Sequence, residues 1–139
     1  MTILRLPSLY GAGQADSFID GIARLAIRDE PIELFGRGQL VRDALHVDDV
    51  VDAIAGCIER PPSETPCVMN LGVGKPIRTV DYVTTLIDAL GSKSQTILVD
   101  KPTAHADMYA NIEKARRVIG FSPTPLSESM KRYANELRT

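Results

Sequence analysis

Apolar and polar positions divide this chain into short strand-like runs and amphipathic helices. Thr2 to Leu6 is a brief apolar run ended by Pro7, which predicts a strand leading into a glycine-rich loop from Gly11 to Gly13. Asp16 or Ser17 is placed to cap a helix with Phe18, Ile22, Leu25 and Ala26 on one face, ending near Asp29 before Pro31. Ile32 to Phe35 predicts a second strand. Asp48 or Asp49 suits the cap of a helix whose apolar stripe is Val50, Ile54 and Ile58, and Pro61-Pro62-Ser63 marks the loop after it. Val68 to Leu71 is another apolar strand. Strand, helix and strand together predict a parallel, right-handed crossover, with the helix from Asp49 to Glu59 packed across the sheet.

The clearest helical period follows. Thr79 is placed to cap a helix carrying Val80, Val83, Leu86, Ile87 and Leu90, closed by Gly91. Thr96 to Val99 reads as a short strand, Lys101 to Met108 as a loop, and Asn111 to Ile119 as a helix stopped at Gly120. Thr124-Pro125 suits the cap and first turn of a last helix with Leu126, Met130, Tyr133 and Leu137 on one face. No internal repeat, low-complexity tract or second domain interrupts this pattern, so a single domain over 1–139 is expected.

Composition narrows the function classes. A chain of 139 residues, 44% hydrophobic and 24% charged, is long enough to bury a core. A formal charge of −2 provides no general field for nucleic acid or an anionic membrane, so any anion site must be local. Cys57 and Cys67 have neither redox nor zinc spacing and read as reduced packing residues, which fits the cytoplasm; no metal site is expected. The chain has no 18-residue apolar run and no charged segment followed by an apolar one, so neither a membrane span nor a secretory signal is expected.

The candidate chemistry concentrates in Gly36 to Val50, where a glycine-rich turn, an Arg-Asp pair and a helix start fall together. Arg42 is carried between two structured elements, and its planar, permanently charged guanidinium suits a phosphate oxyanion. Asp43 reads as a structural partner that aims Arg42 or caps local backbone, His46 as a packing residue, and Asn70 as a buried amide tying strand to loop. Three Gly-x-Gly pairs, at Gly11/Gly13, Gly36/Gly38 and Gly72/Gly74, lack the third glycine of a dinucleotide fingerprint and read as tight turns. None of Tyr10, Tyr82, Tyr109 and Tyr133 is followed four positions later by lysine.

The run from Gly36 to Val50 resembles the G-x-G-x-x-x-R-D-x-x-H-V-x-D signature of the NAD-dependent epimerase/dehydratase family, the extended short-chain dehydrogenases that act on nucleotide sugars. Leu4-Arg5-Leu6-Pro7-Ser8-Leu9-Tyr10-Gly11 is similar to that family's L-R-x-x-N-x-Y-G-P, and Met69-Asn70-Leu71-Gly72-Val73-Gly74 to its N-[IL]-G-x-G. Ala110 to Ala115 with Ile119 to Pro123 resembles its A-D-x-x-K-A and L-G-[WFY]-x-P motifs. These motifs belong to the family's C-terminal part only.

The resemblance implies an α/β fold: a partial Rossmann-type parallel sheet, comprising the last strands and crossover helix, plus the small α/β substrate-binding subdomain. It implies that Arg42 contacts the diphosphate of a UDP- or dTDP-sugar, with Lys101, Asn70 and Ser8 as further substrate-binding positions. Lys101 stands where many relatives carry a second phosphate-binding arginine, Ala104 where they carry an acidic ribose contact, Ser8 in place of the usual asparagine and Ala12 of the usual proline. The family's catalytic Tyr and Lys and its NAD loop lie in an N-terminal portion without counterpart here. The complete enzyme is thus expected to use NAD, while this chain alone is expected to hold no cofactor, carry no catalytic residue and be silent. A stand-alone binding or oligomerisation module is the alternative; a self-sufficient enzyme would need a catalytic pair. A sheet cut at Ile3 to Arg5 further predicts a homo-oligomer or a missing N-terminal partner joined there, or disorder of residues 1 to 8.

Overall fold

The computed structural model describes residues 1–139. Pro7 separates β1 (Thr2–Arg5), which lies in the first apolar run, from a further strand β2 (Ser8–Tyr10), because proline has no N–H for a ladder and the chain changes partners there. β1 runs parallel to β6 (Cys67–Asn70), and β2 runs parallel to β5 (Ala44–His46). The crossover therefore differs from expectation. The strand entering α2 (Val47–Glu59) and the strand leaving it do not pair with each other; each pairs with a successive segment of one interrupted strand. Thr2–Arg5 and Ser8 are thereby built into two ladders, against the expectation that residues 1 to 8 could be disordered.

Two further ladders complete the sheet structure. β3 (Ile32–Phe35) pairs in parallel with β8 (Thr96–Val99), and the two-residue β4 (Val41–Arg42) pairs antiparallel with β7 (Ile77–Arg78). Between them, Gly36–Gly38 makes one 3-10 turn in which Gly36, Arg37 and Gly38 all have positive φ. At Gly38 a side chain is excluded twice over, by a φ of 67° and by Val80, whose Cβ would lie 2.9 Å from an added methyl.

The helices sort into two cores. α1 (Phe18–Ile27) is capped by Ser17, whose hydroxyl accepts the Asp20 N–H at 3.0 Å. It packs with α3 (Thr79–Leu90), which packs in turn on α5 (Leu126–Leu137), enclosing Ile19, Ala23, Tyr82, Leu86, Met130 and Tyr133. The second core lies between α2, α4 (Glu113–Ile119) and the β1–β6 ladder, around Leu45, Cys67, Met69, Ile112 and Phe121. Gly91 and Gly120 stop α3 and α4 in the left-handed conformation, with φ of 65° and 69°. No helix is long and apolar enough to cross a membrane.

Several capping expectations are corrected. His46, rather than Asp48 or Asp49, caps α2: its Nδ1 accepts the Asp48 N–H at 3.2 Å. The aspartates are used elsewhere. Buried Asp49 accepts the hydroxyl of Thr124 at 2.6 Å and its N–H at 3.2 Å, while Asp48 pairs with Arg132 on α5. Thr124 is thereby drawn away from capping α5, where Pro125 holds the cap position. Arg78 occupies the cap of α3, its N–H donating to Asp81, and the Thr79 hydroxyl instead donates to the Leu40 carbonyl at 2.9 Å. α4 begins at Glu113, two residues later than its pattern predicts, because the Asn111 side chain accepts the Glu113 N–H at 3.0 Å. The stripe assigned to α2 is also corrected: Val50 is buried, but Ile54 is 47% and Ile58 74% exposed.

Candidate functional site

Arg42 sits on β4, whose register opposite Ile77 directs its side chain into a cleft of about 360 Å³. Phe18, at the start of α1, forms the floor: the guanidinium carbon stands 4.6 Å from its ring centre. That ring is held edge-to-face against Tyr82 of α3, 5.6 Å between centres. Tyr82 is itself fixed, since its hydroxyl accepts the Ala44 N–H at 3.0 Å, and burial pushes its phenol well above the usual tyrosine range. The charge is therefore aimed by a chain of contacts running from β5 through two rings. No carboxylate lies within ion-pairing distance of Arg42, and no hydrogen bond inside the protein occupies its donors. A stacked guanidinium keeps its fork free for a planar or tetrahedral oxyanion.

Asp43 does not pair with Arg42. It is 4% exposed and accepts two backbone N–H groups, from Val73 at 2.9 Å and Ala110 at 2.8 Å. Of its two sequence readings, backbone capping is the one realised. One carboxylate thus ties the strand after the cleft to two loops remote in sequence. Gly72 permits it, because a methyl there would collide with the Asp43 carboxylate oxygen.

Lys101 lies close to this cleft but outside it. It lines a neighbouring pocket of about 290 Å³ that shares Phe35, Thr103 and His105 with the first, and its Nζ is 5.9 Å from the Phe35 ring centre. Asn70 lies in neither. It closes β6 beside a third pocket with Arg5 and Tyr109, and its amide reaches the Asn111 carbonyl at a long 3.5 Å. Ser8 is exposed at the head of β2, opposite Ala44. The structure brings together the two cationic positions; Asn70 and Ser8 are set apart. Phe18, Thr103 and His105 were missed from the sequence, although an aromatic directly after a helix cap in a chain with only three phenylalanines was a usable signal.

His46, Asp48 and Glu136 form the one cluster with metal-ligand chemistry, their donor atoms within 4.8 Å of one another. Because His46 Nδ1 accepts a backbone N–H, its proton is on Nε2, which donates to Glu136 at 3.1 Å. Glu136 also accepts the Ala12 N–H at 3.0 Å. Both imidazole nitrogens are thus committed to joining α2, the glycine loop and α5. The glycine pairs offer a dinucleotide phosphate little room. Gly74 faces Ile112, Gly36 faces Thr103 and Gly11 faces Val47, so at one glycine of each of these three pairs the backbone that a pyrophosphate would approach is covered by this chain's own side chains, Gly13 alone among the loop glycines of those pairs being open. These residues do not fit an NAD loop.

Parallel ladders flanked by helices, with a glycine turn leading to an arginine over an aromatic floor, define a protein with a Rossmann-like α/β architecture. The NAD dependent epimerase/dehydratase family matches residues 1–72, and the chain belongs to it. Among curated relatives, the dTDP-L-rhamnose 4-epimerase of Burkholderia thailandensis is 28% identical over 100% of this chain and 39% of its own length. The UDP-glucuronate 4-epimerase of Thermodesulfobacterium geofontis is 25% identical over 97% and 42%. The structure of MoeE5 in complex with UDP-glucuronic acid and NAD superposes with a TM-score of 0.81 at 28% identity, over 99% of this chain and 46% of that one. The UDP-glucose 4-epimerase of Thermotoga maritima shares the fold at a TM-score of 0.81, 24% identical, over 99% and 45%. The chain spans less than half the length of the curated relatives it matches.

Proposed function

We propose that this chain is the substrate-binding portion of an NAD-dependent nucleotide-sugar epimerase or dehydratase, a single domain over 1–139 that holds the diphosphate of a UDP- or dTDP-sugar. The observation that carries this reading is the unpaired Arg42 guanidinium stacked on Phe18 in the cleft. Lys101 supplies a second positive charge from the adjoining pocket, reaching an anion as a point charge rather than a fork. The complete enzyme uses NAD held by a portion outside this chain, and the chain alone is catalytically silent, since the Tyr and Lys that would move protons are not encoded in it.

Calorimetry with UDP and dTDP tests the reading. Binding is expected in the high micromolar range or weaker, and Arg42→Ala should lower it by about 1.5 to 3 kcal/mol, the worth of a charge-assisted hydrogen bond. Equal binding by the wild type and Arg42→Ala would sink the assignment. A turnover assay with NAD and UDP-hexoses should stay at the buffer rate.

A further inference from the structure

We infer that His105 is a further binding residue of the Arg42 cleft, an imidazole that takes up a proton as it meets the diphosphate of a nucleotide sugar, so that affinity for that anion rises as pH falls. This deepens the diphosphate-binding role proposed above and rests on it. His105 lines both the cleft of about 360 Å³ that holds Arg42 and the adjoining pocket of about 290 Å³ that holds Lys101; Phe35 and Thr103 are the other two residues common to both. A nitrogen-bearing side chain thus stands on the boundary between two positive groups supplied by different elements.

The loop that carries it is tied to the segment that presents Arg42. The Gly36 N–H donates to the Lys101 carbonyl at 2.8 Å, the Val41 N–H to the Asp107 carboxylate at 2.8 Å, and the Met108 N–H to the Val41 carbonyl at 3.2 Å. Between these ties the Thr103 hydroxyl accepts the His105 N–H at 2.9 Å, while the Thr103 methyl sits over Gly36, 3.0 Å from where a Cβ would stand. Residues 101–108 are therefore a short span fastened at each end beside Arg42, with His105 near its middle. The imidazole is exposed and makes no hydrogen bond within the chain, so both ring nitrogens are open to a ligand.

The surrounding charges couple its proton to an anion. α1 and the start of α3 present no charged side chain to the cleft; β4 presents Arg42, the loop Lys101, and β3 the carboxylate of Glu33. Arg37 and Asp100 pair with each other at 3.2 Å, and Asp107 is occupied by the Val41 N–H. Without ligand, Arg42 and Lys101 oppose a third positive charge. A diphosphate between them turns that repulsion into attraction, so protonation and binding favour one another, and by linkage the effect is reciprocal. Histidine is the side chain that ordinarily changes charge near neutral pH, which puts the coupling between about pH 5 and 8. Exposure and salt hold it to about three- to fivefold.

Calorimetry with UDP-glucose tests this, because its doubly esterified diphosphate keeps a constant charge over that range. Wild-type affinity should rise about three- to fivefold from about pH 7.5 to about pH 5.5. His105→Gln should abolish the rise and leave affinity at the higher pH close to wild type, whereas Glu33→Gln should keep it. The chain has two histidines and His46 is fully buried, so the exposed imidazole is readily followed by NMR. Saturating UDP-glucose should lift its titration midpoint by about 0.5 to 0.7 of a unit, the same coupling read from the other side. Arg42→Ala should weaken binding at both pH values; if it does while His105→Gln matches the wild type throughout, the inference fails and the Arg42 assignment stands. A rise that survives His105→Gln, a rise lost with Glu33→Gln, or an imidazole midpoint unmoved by ligand would each overturn it, and no binding at either pH would overturn both.

Discussion

The two cores differ in how completely they are closed. The core of α1, α3 and α5 is sealed, with Tyr82, Leu86 and Met130 at 0% exposure, and the Arg42 cleft is built on its rim. The core beneath α2 and α4 seals only one face of a two-stranded parallel ladder and leaves Ile3, Val51, Ile54 and Ile58 in solvent. The first leaves Ile27, Phe35, Ile97 and Leu98 exposed only at its margin, whereas the second leaves a helix stripe and one ladder face bare. The half of the chain that bears the Arg42 cleft is thus the more fully closed, and the half around α2 the more open.

Cutting one side chain from each core separates the two most sharply. Leu86→Ala should cost about 2 to 5 kcal/mol in urea denaturation, as for any large side chain lost from a sealed core, whereas Ile58→Ala should stay within about 0.5 kcal/mol. Comparable losses would mean that α2 is buried in solution. Asp43→Ala should cost about 2 to 4 kcal/mol, since it strands the Val73 and Ala110 N–H groups. The same change should loosen UDP binding, because the loops it ties border the strand that bears Arg42; unaltered stability would remove Asp43 from the frame of the cleft.

Alkaline unfolding sharpens the contrast further. Burial raises the Tyr10 phenol to about 12, offset in part by its hydrogen bond with Ser129. The unfolded chain ionises at its ordinary value of 10.0, so this stabilisation is full below pH 10 and is lost as pH rises toward 12. Tyr10 should contribute about 2 to 3 kcal/mol of the decline across that window, followed by circular dichroism, and Tyr10→Phe should remove that share while the raised Tyr82 and Tyr133 phenols keep the rest. The smallest effect belongs to Arg78→Ala. Its exposed pair with Asp81 holds that carboxyl below the usual range, so the pair's stabilisation is present above the ordinary aspartate value and fades as acid protonates Asp81. Its loss should cost little, and the difference should disappear in high salt.

The sequence was most legible where local chemistry acts alone. Ser17 as a cap, Gly91 and Gly120 as helix stops, and the period of α3 follow from backbone propensity and side-chain spacing within one turn, and the structure keeps each of them. The succession of family motifs likewise placed the fold and the family. Competition between segments was not legible. Asp49 was an equally good cap on paper, but a partner 75 residues away in Thr124 claimed it, and His46 took the helix end because burial beside Glu136 fixed its tautomer.

Tertiary structure alone also decided which face of α2 is bare and what Arg42 rests on. Val50, Ile54 and Ile58 are all apolar and share one helical stripe, so periodicity could not say that only the first would find cover. That depends on where α4 and the ladder end. Phe18 reads as core from its own helix, and becomes the floor of a cleft because β4 passes over it from 24 residues further along. A sequence fixes local conformation through energies confined to neighbouring residues, whereas a site and a contact surface are made by groups that meet only after the chain has closed on itself.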